Sequence, residues 1–190
     1  MKAVHRNSCS EGKFKLTPVE DFKIFAGFSC LKAVDTDRDL EEFIREDAER
    51  HFYDKIAVTY CLVEETAPTS PIAFVTLQND AIIVENRDSL PGIDSRYEYK
   101  SYPAVKIGRL GVAFEMQRKH MGSLLLHLII KLMLHANRTG CRFLTVDARR
   151  DKVNKEDVRP FYAKCGFSTL ECRPKTSKYV PMFFDLSTVR

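Results

Sequence analysis

A long apolar pattern begins just after Gly122 and limits the possible folds more than any other part of the sequence. Apolar side chains recur at intervals of three and four residues, which predicts a helix of about four turns. These positions are Leu124, Leu125, Leu128, Ile129, Leu132 and Ala136. Asn137 and Gly140 can end this helix. The preceding segment "PAVKIGRLGVAF" is apolar on both faces and predicts a strand inside a sheet.

The rest of the chain alternates in the same way between strand and helix patterns. Residues 35–55 place Leu40, Phe43, Ile44, Ala48 and Phe52 on one helical face, and acidic residues lead the segment. "IAVTYCLVEE" and "PIAFVTLQNDAIIV" predict two strands joined as a hairpin. "CRFLTVDA", "KEDVRPFYAKCGF" and "VPMFFDL" predict a strand, a short helix and a last strand. The polar segment 85–100 predicts a loop.

This order predicts an α/β (α+β) fold, with 1–190 as a single domain and residues 1–13 flexible. Six widely spaced cysteines form no Cys-x-x-Cys pair and have no neighbouring histidine, so we expect reduced thiols, a cytoplasmic protein and no metal. No apolar run reaches the roughly 20 residues that span a bilayer, so no membrane association is expected. The formal charge of +4 favours an anionic ligand without identifying one.

The turn before the long helix concentrates polar and basic residues around one glycine. A helix N-terminus offers amide N–H groups without intrahelical acceptors together with the positive end of the macrodipole, so it suits a phosphate. Arg118, Lys119 and His120 add positive or titratable groups there, and Gly122 lets an anion approach the backbone. The turn therefore predicts a cradle for a diphosphate. The alternative is a plain turn in which basic residues happen to precede a helix.

The run "QRKHMGSLLL" resembles the Q/R-x-x-G-x-G/A acetyl-coenzyme A motif of the GNAT (Gcn5-related N-acetyltransferase) superfamily. "GRLGV" before it, and "TVDA" and "VRPFYAKCGF" after it, look like the family's successive elements, so the resemblance covers roughly residues 40–186. It implies the GNAT fold, a central mixed and mostly antiparallel splayed sheet with helices on both faces. It also implies acetyl-coenzyme A as co-substrate.

The resemblance implies a role for each residue of the strand and the turn. Leu110, Gly111 and Val112 would lie on the splayed strand whose backbone pairs with the pantetheine arm. The amides facing the pyrophosphate would come from Gln117, Arg118, Lys119, His120, Met121, Gly122 and Ser123. His120 stands where the motif normally has its first glycine. An imidazole there is expected to take an ordinary backbone conformation and to narrow the cradle.

The same resemblance implies a catalytic acid but no base. Tyr162 occupies the position of the family's tyrosine that protonates the departing thiolate, and a phenol with a pKa near 10 is protonated at neutral pH. The alternative role is a core aromatic, which is our interpretation of Phe161 and Phe167.

The sequence offers several candidate bases, and none of them is assigned. They are Asp147, Glu64, Glu65 and His51. Cys141 and Cys165 have apolar neighbours and read as core residues, so the expected mechanism is direct transfer to a primary amine.

The acceptor is left open among three readings. The first is an N-acetyltransferase acting on a small-molecule or protein amine. Residues 39–65 and the strands after them resemble the branch that includes bacterial toxin acetyltransferases, which implies aminoacyl-tRNA as a second candidate. Basic residues in the C-terminal half suit tRNA, although their alternation with acids also suits a solvated face. They are Lys106, Arg109, Arg118, Lys119, Arg138, Arg142, Arg149, Arg150, Lys152, Lys155 and Arg159. The third reading is a non-catalytic protein, either a coenzyme A-binding sensor or an interaction module. The apolar "YVPMFFDL" serves equally as a homodimer interface or a core strand.

Overall fold

The structure is a computed structural model that describes residues 8–31, 39–84, 90, 93, 99–137, 139–151, 156–170 and 178–189. The chain forms two compact units. Unit 1 contains residues 1–78 and 108–137, and unit 2 contains residues 79–107 and 138–190. The expectation that both belong to a single domain stays a prediction.

The described part of the chain contains nine strands and four α-helices. The strands are β1 (Cys9–Glu11), β2 (Phe14–Pro18), β3 (Val58–Glu64), β4 (Ala73–Ile83), β5 (Ser101–Val112), β6 (Phe143–Asp151), β7 (Glu156–Asp157), β8 (Ser168–Thr169) and β9 (Tyr179–Asp185). The α-helices are α1 (Asp39–Glu42), α2 (Ala48–Tyr53), α3 (Met121–His135) and α4 (Arg159–Lys164). A π-helical segment, Phe43–Asp47, joins α1 to α2, and a 3₁₀ helix covers Phe22–Phe25.

The strands pair mainly in antiparallel fashion. In unit 1, β1 to β4 pair in chain order, with Leu16 opposite Leu62 in the β2–β3 register. In unit 2, β5 pairs in parallel with β6 from Ala104 opposite Phe143 to Ile107 opposite Val146. Strand β6 then pairs antiparallel with β9, which pairs with β8. With β4 beside β5, the result is the mixed and mostly antiparallel sheet expected from the sequence.

Each unit has its own apolar core. In unit 1 the rings of Phe25, Phe28 and Phe74 contact one another edge to face, with centroids 5.6–5.9 Å apart. In unit 2 Phe143 contacts Tyr102 and Phe183 in the same geometry. Because these rings are buried, each contributes the free energy of removing a large apolar surface from water, plus a preference for the edge-to-face arrangement.

Most predicted elements are confirmed, with shifts of a few residues at their ends. The long helix begins at Met121 and ends at His135, and the hairpin of β3 and β4 forms as expected. One strand was not expected: residues 9–11, which belong to the segment predicted to be flexible, form β1. Their backbone pairs with β2 through a tight turn in which Gly12 takes a positive φ of 56°. The sequence shows no apolar alternation there because β1 is largely exposed.

The structure also bears on membrane and metal sites, within the residues it describes. None of the described helices is long and apolar enough to cross a membrane. Among the same residues, no group of three or more His, Cys, Asp and Glu side chains could hold a metal ion. The predicted loop 85–100 lies for the most part outside the described residues, apart from buried Leu90, half-buried Ile93 and exposed Tyr99 and Lys100.

Candidate functional site

A tight turn of unusual backbone geometry connects β5 to α3. The strand ends at Val112, a 3₁₀ turn covers Phe114–Met116, and α3 begins at Met121. Between them, Arg118 and His120 have positive φ angles of 58° and 62°. The expectation of an ordinary conformation for His120 was therefore wrong. His120 takes the left-handed conformation that a glycine adopts freely, and histidine is one of the residue types that tolerate it.

The turn leaves several amides available to an anion. The amide of Leu124 donates to the His120 carbonyl at 3.0 Å, which begins the intrahelical hydrogen bonding of α3. The earlier amides, including those of Met121 and Gly122, have no intrahelical acceptor by the geometry of a helix. Positive-φ residues separated by one residue also favour a concave arrangement of N–H groups that binds anions. The geometry fits a phosphate group.

The side chains around the turn face solvent. Those of Gln117, Arg118, Lys119 and His120 are exposed, while Met121 and Gly122 are half-buried. Two basic side chains can therefore reach a bound anion without first leaving a buried position. The structure brings together all seven residues that were predicted to form the cradle, since 117–123 follow one another through the turn and into α3.

Gln117 has a structural role that the sequence did not reveal. Its side-chain amide nitrogen donates to the Cys30 carbonyl at 2.6 Å and to the Val112 carbonyl at 3.1 Å. The amide of Phe114 donates to the Ser29 carbonyl at 2.9 Å. The segment 28–31 is thus fastened to the turn by both backbone and side-chain bonds.

A buried carboxylate fastens the other side of that segment. Glu41 is 2% exposed, and its Oε1 accepts from the amides of Cys30 at 2.9 Å and Leu31 at 3.2 Å, and from the Ser29 hydroxyl at 2.5 Å. Burial opposes ionisation of this carboxyl, but these donors and Arg45 outweigh it and lower the pKa of Glu41. Burial also raises the pKa of Cys30 to about 11, so this thiol is protonated.

The strand residues predicted to meet the pantetheine arm lie at the end of β5. Leu110 and Val112 are half-buried and Gly111 is buried. A Cβ on Gly111 would lie 2.5 Å from Cε1 of Phe74, so a glycine is required for the close approach of this ring. Leu110 and Val112 flank Gly111 and point away from its side of the pleat.

Tyr162 lies in α4 of unit 2 and is 7% exposed. Its ring contacts Phe161 and Phe167 edge to face, with centroids 5.0 and 5.5 Å apart. Burial, and to a smaller extent the charge of Cys165, raises the pKa of Tyr162. The phenol is therefore held in its protonated form, as a proton donor requires, and it is also packed as a core aromatic would be. The packing agrees with the core-aromatic interpretation, and the catalytic role of Tyr162 stays a prediction.

Three candidate bases have partners or positions that argue against the role. Asp147 lies 2.7 Å from Lys106, and Glu64 lies 2.9 Å from Lys13. Glu65 is exposed next to the β3–β4 turn. His51, in contrast, lines a pocket in unit 1 together with Phe43, Asp47, Thr76, Gln78, Gly108 and Arg109. Sequence reasoning missed Asp47 and Gln78, although Phe43, Asp47 and His51 share a four-residue spacing.

Several of the basic residues proposed for tRNA pair with acids in the described part of the chain, among them Lys106 with Asp147, Arg109 with Asp39, Arg142 with Asp185 and Arg159 with Asp157. Arg138, Lys152 and Lys155 lie outside the described residues.

Burial raises the pKa of Cys141, which agrees with its interpretation as a core residue rather than a nucleophile.

No protein-family model matches the chain, and no curated protein sequence matches it at a significant level. Solved structures do match. A tyrosine-to-phenylalanine variant of KacT is 19% identical, with a TM-score of 0.70 over 93% of this chain and 97% of that one. AtaT complexed with acetyl-methionyl-tRNAfMet is 20% identical, with a TM-score of 0.66 over 93% and 96%. AtaTR bound with acetyl-coenzyme A is 19% identical, with a TM-score of 0.64 over 93% and 95%. The chain therefore has the fold of these proteins, which is the GNAT fold.

Proposed function

We propose that the protein is an acetyl-coenzyme A-dependent N-acetyltransferase that transfers an acetyl group directly to a primary amine. The observation that carries the proposal is the turn between β5 and α3, where positive φ angles at Arg118 and His120 open a basic, solvent-facing cradle at a helix N-terminus. A similar fold in AtaTR bound with acetyl-coenzyme A supports the same ligand. A fold alone does not determine an activity, so the proposal depends mainly on the geometry of the cradle.

In this proposal, residues 117–123 hold the diphosphate of the coenzyme. The amides of Met121 and Gly122 donate to phosphate oxygens, and Arg118 and Lys119 neutralise their charge. Leu110, Gly111 and Val112 supply backbone groups for the pantetheine arm. The thioester of the bound coenzyme supplies the activated acetyl group. Holding the two reactants in place removes much of the entropic part of the barrier.

Tyr162 is proposed as the general acid. Its phenol donates a proton to the departing sulfur, so that the coenzyme leaves as a thiol rather than a thiolate. The raised pKa of Tyr162 keeps the proton on the phenol until that step. Because the side chain packs between Phe161 and Phe167, removing only its hydroxyl should leave the fold intact.

The proposal is tested by calorimetry with acetyl-coenzyme A and by transfer of its labelled acetyl group to a panel of primary amines. Wild type should bind and turn over. Tyr162→Phe should bind equally well but lose roughly 10²- to 10⁴-fold in kcat. The matched control is Tyr179→Phe, which removes a hydroxyl from an exposed tyrosine in the same unit. Its affinity for acetyl-coenzyme A and its kcat should equal those of wild type. Binding without turnover on any amine would instead support a non-catalytic coenzyme A sensor, and no binding would exclude both.

Aminoacyl-tRNA is a second candidate acceptor, favoured by the similarity to AtaT complexed with acetyl-methionyl-tRNAfMet. Expression of the chain should then arrest bacterial growth, and Tyr162→Phe should relieve the arrest. Mass spectrometry of cellular RNA would detect acetylated aminoacyl ends in the first strain only. Normal growth with an enzyme that is active on amines would remove this candidate.

A further inference from the structure

A small pocket in unit 1 lies between the π-helical segment with α2 on one side and β4 with β5 on the other. Its volume is about 130 Å³. Sites for drug-sized ligands typically measure about 300–1,000 Å³, so this one suits a small group. Two of its residues, Gly108 and Arg109, directly precede the strand positions proposed to meet the pantetheine arm. The pocket thus borders the proposed cofactor strand.

The charges of the pocket favour a cation. The positive charge of Arg109 is compensated by Asp39, whose carboxylate lies 3.3 Å from its Nε. The guanidinium of Arg109 also lies 5.2 Å from the ring centroid of Phe43. Asp47 adds a second carboxylate. Within the described ranges, the side chain of Asp47 has no hydrogen bond and no ion pair. Because Asp39, which lies outside the pocket lining, compensates the charge of Arg109, the carboxylate of Asp47 is the charge left to attract a ligand, and it favours an ammonium group over an anion.

Neutral groups of the pocket offer matching hydrogen bonds. Gln78 is half-buried, and across the described part of the chain its amide makes no hydrogen bond, so its oxygen can accept from an ammonium N–H. The absence of a side chain at Gly108 leaves room for the Gln78 amide, because a Cβ at position 108 would lie 3.3 Å from Oε1 of Gln78. The arrangement provides acceptors of two kinds, a carboxylate and an amide oxygen, in one small space.

The backbone of the helix presents three pocket residues together. The amide of Ala48 donates to the carbonyl of Phe43, five residues back, which closes one π-helical turn. Such turns are rare and occur frequently at functional sites. Phe43 and Asp47 are the ends of this segment, and His51 follows one turn later. The imidazole of His51 packs edge to face on Phe43 with centroids 5.3 Å apart, which restricts its rotation.

We propose that this pocket binds the ammonium group of the acceptor, with Asp47 as its counter-ion and His51 as the base that removes its proton. The proposal rests on the proposed function. One proton passes from the ammonium nitrogen to an imidazole nitrogen of His51, and the freed lone pair forms the new C–N bond as the C–S bond breaks. A second proton leaves the nitrogen to solvent and balances the one that Tyr162 gives to the sulfur. A short, unbranched amine fits a pocket of about 130 Å³.

Kinetics with n-propylamine separate the two roles. Asp47→Asn should raise KM for the amine at least tenfold and change kcat little, because it removes the counter-ion. His51→Gln should lower kcat about 10²-fold with little change in KM, and added imidazole should restore part of the rate. The control is Glu46→Gln, an exposed acid on the same segment that does not line the pocket. All three variants should bind acetyl-coenzyme A like wild type.

A binding measurement that needs no turnover tests the pocket separately. Addition of n-propylammonium chloride should shift the imidazole NMR signals of His51 in wild type and in Glu46→Gln, but not in Asp47→Asn. Tetramethylammonium, which has no N–H donor, should cause no such shift. If these shifts appear while no amine is acetylated, the proposed function fails and the ammonium site stands.

Normal turnover in the pocket variants would contradict the proposal that the pocket binds the acceptor. If amines are acetylated normally and Asp47→Asn and His51→Gln both behave like Glu46→Gln, the acceptor binds elsewhere and the proposed function survives. Absence of any His51 shift with n-propylammonium, together with unchanged KM in Asp47→Asn, would likewise exclude the site. Urea unfolding of each variant checks that a loss of activity is not a loss of folding.

Discussion

The side-chain amide of Gln117 donates to the backbone carbonyl of Cys30 at 2.6 Å, joining residues that lie 87 positions apart in the sequence. The same nitrogen donates to the Val112 carbonyl at 3.1 Å. Glu41 holds the other side of the segment through the Cys30 amide at 2.9 Å. The proposed cradle is therefore anchored to helix α1 through one short stretch of chain, which makes its geometry sensitive to residues that never meet the ligand.

Gln117→Glu tests this anchoring. The new carboxylate would face two carbonyl oxygens with no proton to donate, so we expect the free energy of unfolding to fall by about 1–3 kcal/mol. The affinity for acetyl-coenzyme A should fall as well, because the turn loses its support. Urea unfolding and calorimetry measure the two effects. Glu115→Gln, an exposed change in the adjacent 3₁₀ turn, is the control. An unchanged stability would show that the two hydrogen bonds contribute little.

Glu41 predicts a specific dependence of stability on pH. Its pKa in the folded state is lowered from the ordinary value of 4.5, so the unfolded chain binds a proton more readily. The contribution of Glu41 is therefore fully present above about pH 4.5 and is lost as the pH falls through the lowered pKa. Glu41→Gln should lower the free energy of unfolding at neutral pH by about 2–3 kcal/mol and flatten its decline in acid.

Equilibrium unfolding from pH 7 to pH 3 measures this difference. Glu42→Gln changes the exposed neighbour in the same helix and should reproduce the wild-type curve. Parallel curves for wild type and Glu41→Gln would mean that other carboxylates control the acid transition.

The left-handed conformation of His120 can be tested by two substitutions of opposite effect. Valine is β-branched and is strongly disfavoured at positive φ, so His120→Val should lower stability by about 1–2 kcal/mol and weaken binding of acetyl-coenzyme A. Glycine adopts this conformation freely. His120→Gly should therefore keep the affinity for acetyl-coenzyme A within about twofold of wild type and the free energy of unfolding within ~1 kcal/mol of it.

Lys119→Val serves as the control for His120, since the adjacent Lys119 has no positive φ. It should affect affinity through the lost charge but stability little. Equal destabilisation by His120→Val and Lys119→Val would argue that the turn does not require a left-handed residue at 120.

Gly111→Ala should destabilise the core of unit 1. The added methyl would lie 2.5 Å from Cε1 of Phe74, and Phe74 itself is held between Phe25 and Phe28. Overpacking of this kind typically costs about 1–3 kcal/mol, which thermal or urea unfolding would detect. The smaller side chain of Phe74→Leu should recover part of the loss in the double variant. Gly27→Ala, where a Cβ meets nothing within 4 Å, is the control.

The sequence predicts the helices and strands well where apolar periodicity is strong. The helix after Gly122 and the β3–β4 hairpin are both found close to their expected bounds. Strand β1 was missed because its residues are mostly exposed and carry no apolar alternation. The burial of Phe22, Phe25 and Phe28 was also missed, since a short 3₁₀ helix has no extended pattern to detect.

The candidate site is predicted less completely, for a physical reason. Residues 117–123 are contiguous, so their meeting at a helix N-terminus follows from local sequence. The bonds of Gln117 to Cys30 and of Glu41 to the same residue depend on long-range packing. The positive φ of His120 could not be read from the residue type, because most histidines have negative φ. The pocket around Asp47 needs β4 and β5 to form its second wall.

The π-helical turn at Phe43–Asp47 holds one more residue than an α-helical turn would, and this sets the phase of everything after it. Removing the exposed Glu46 would let the segment close as a regular α-helix. Each residue of an α-helix advances the direction of its side chain by roughly 100°. Four α-helical residues cover roughly the same rotation as the five residues of the π-helical turn, so the deletion would leave the imidazole of His51 facing the pocket and would displace Asp47, the last residue of the segment.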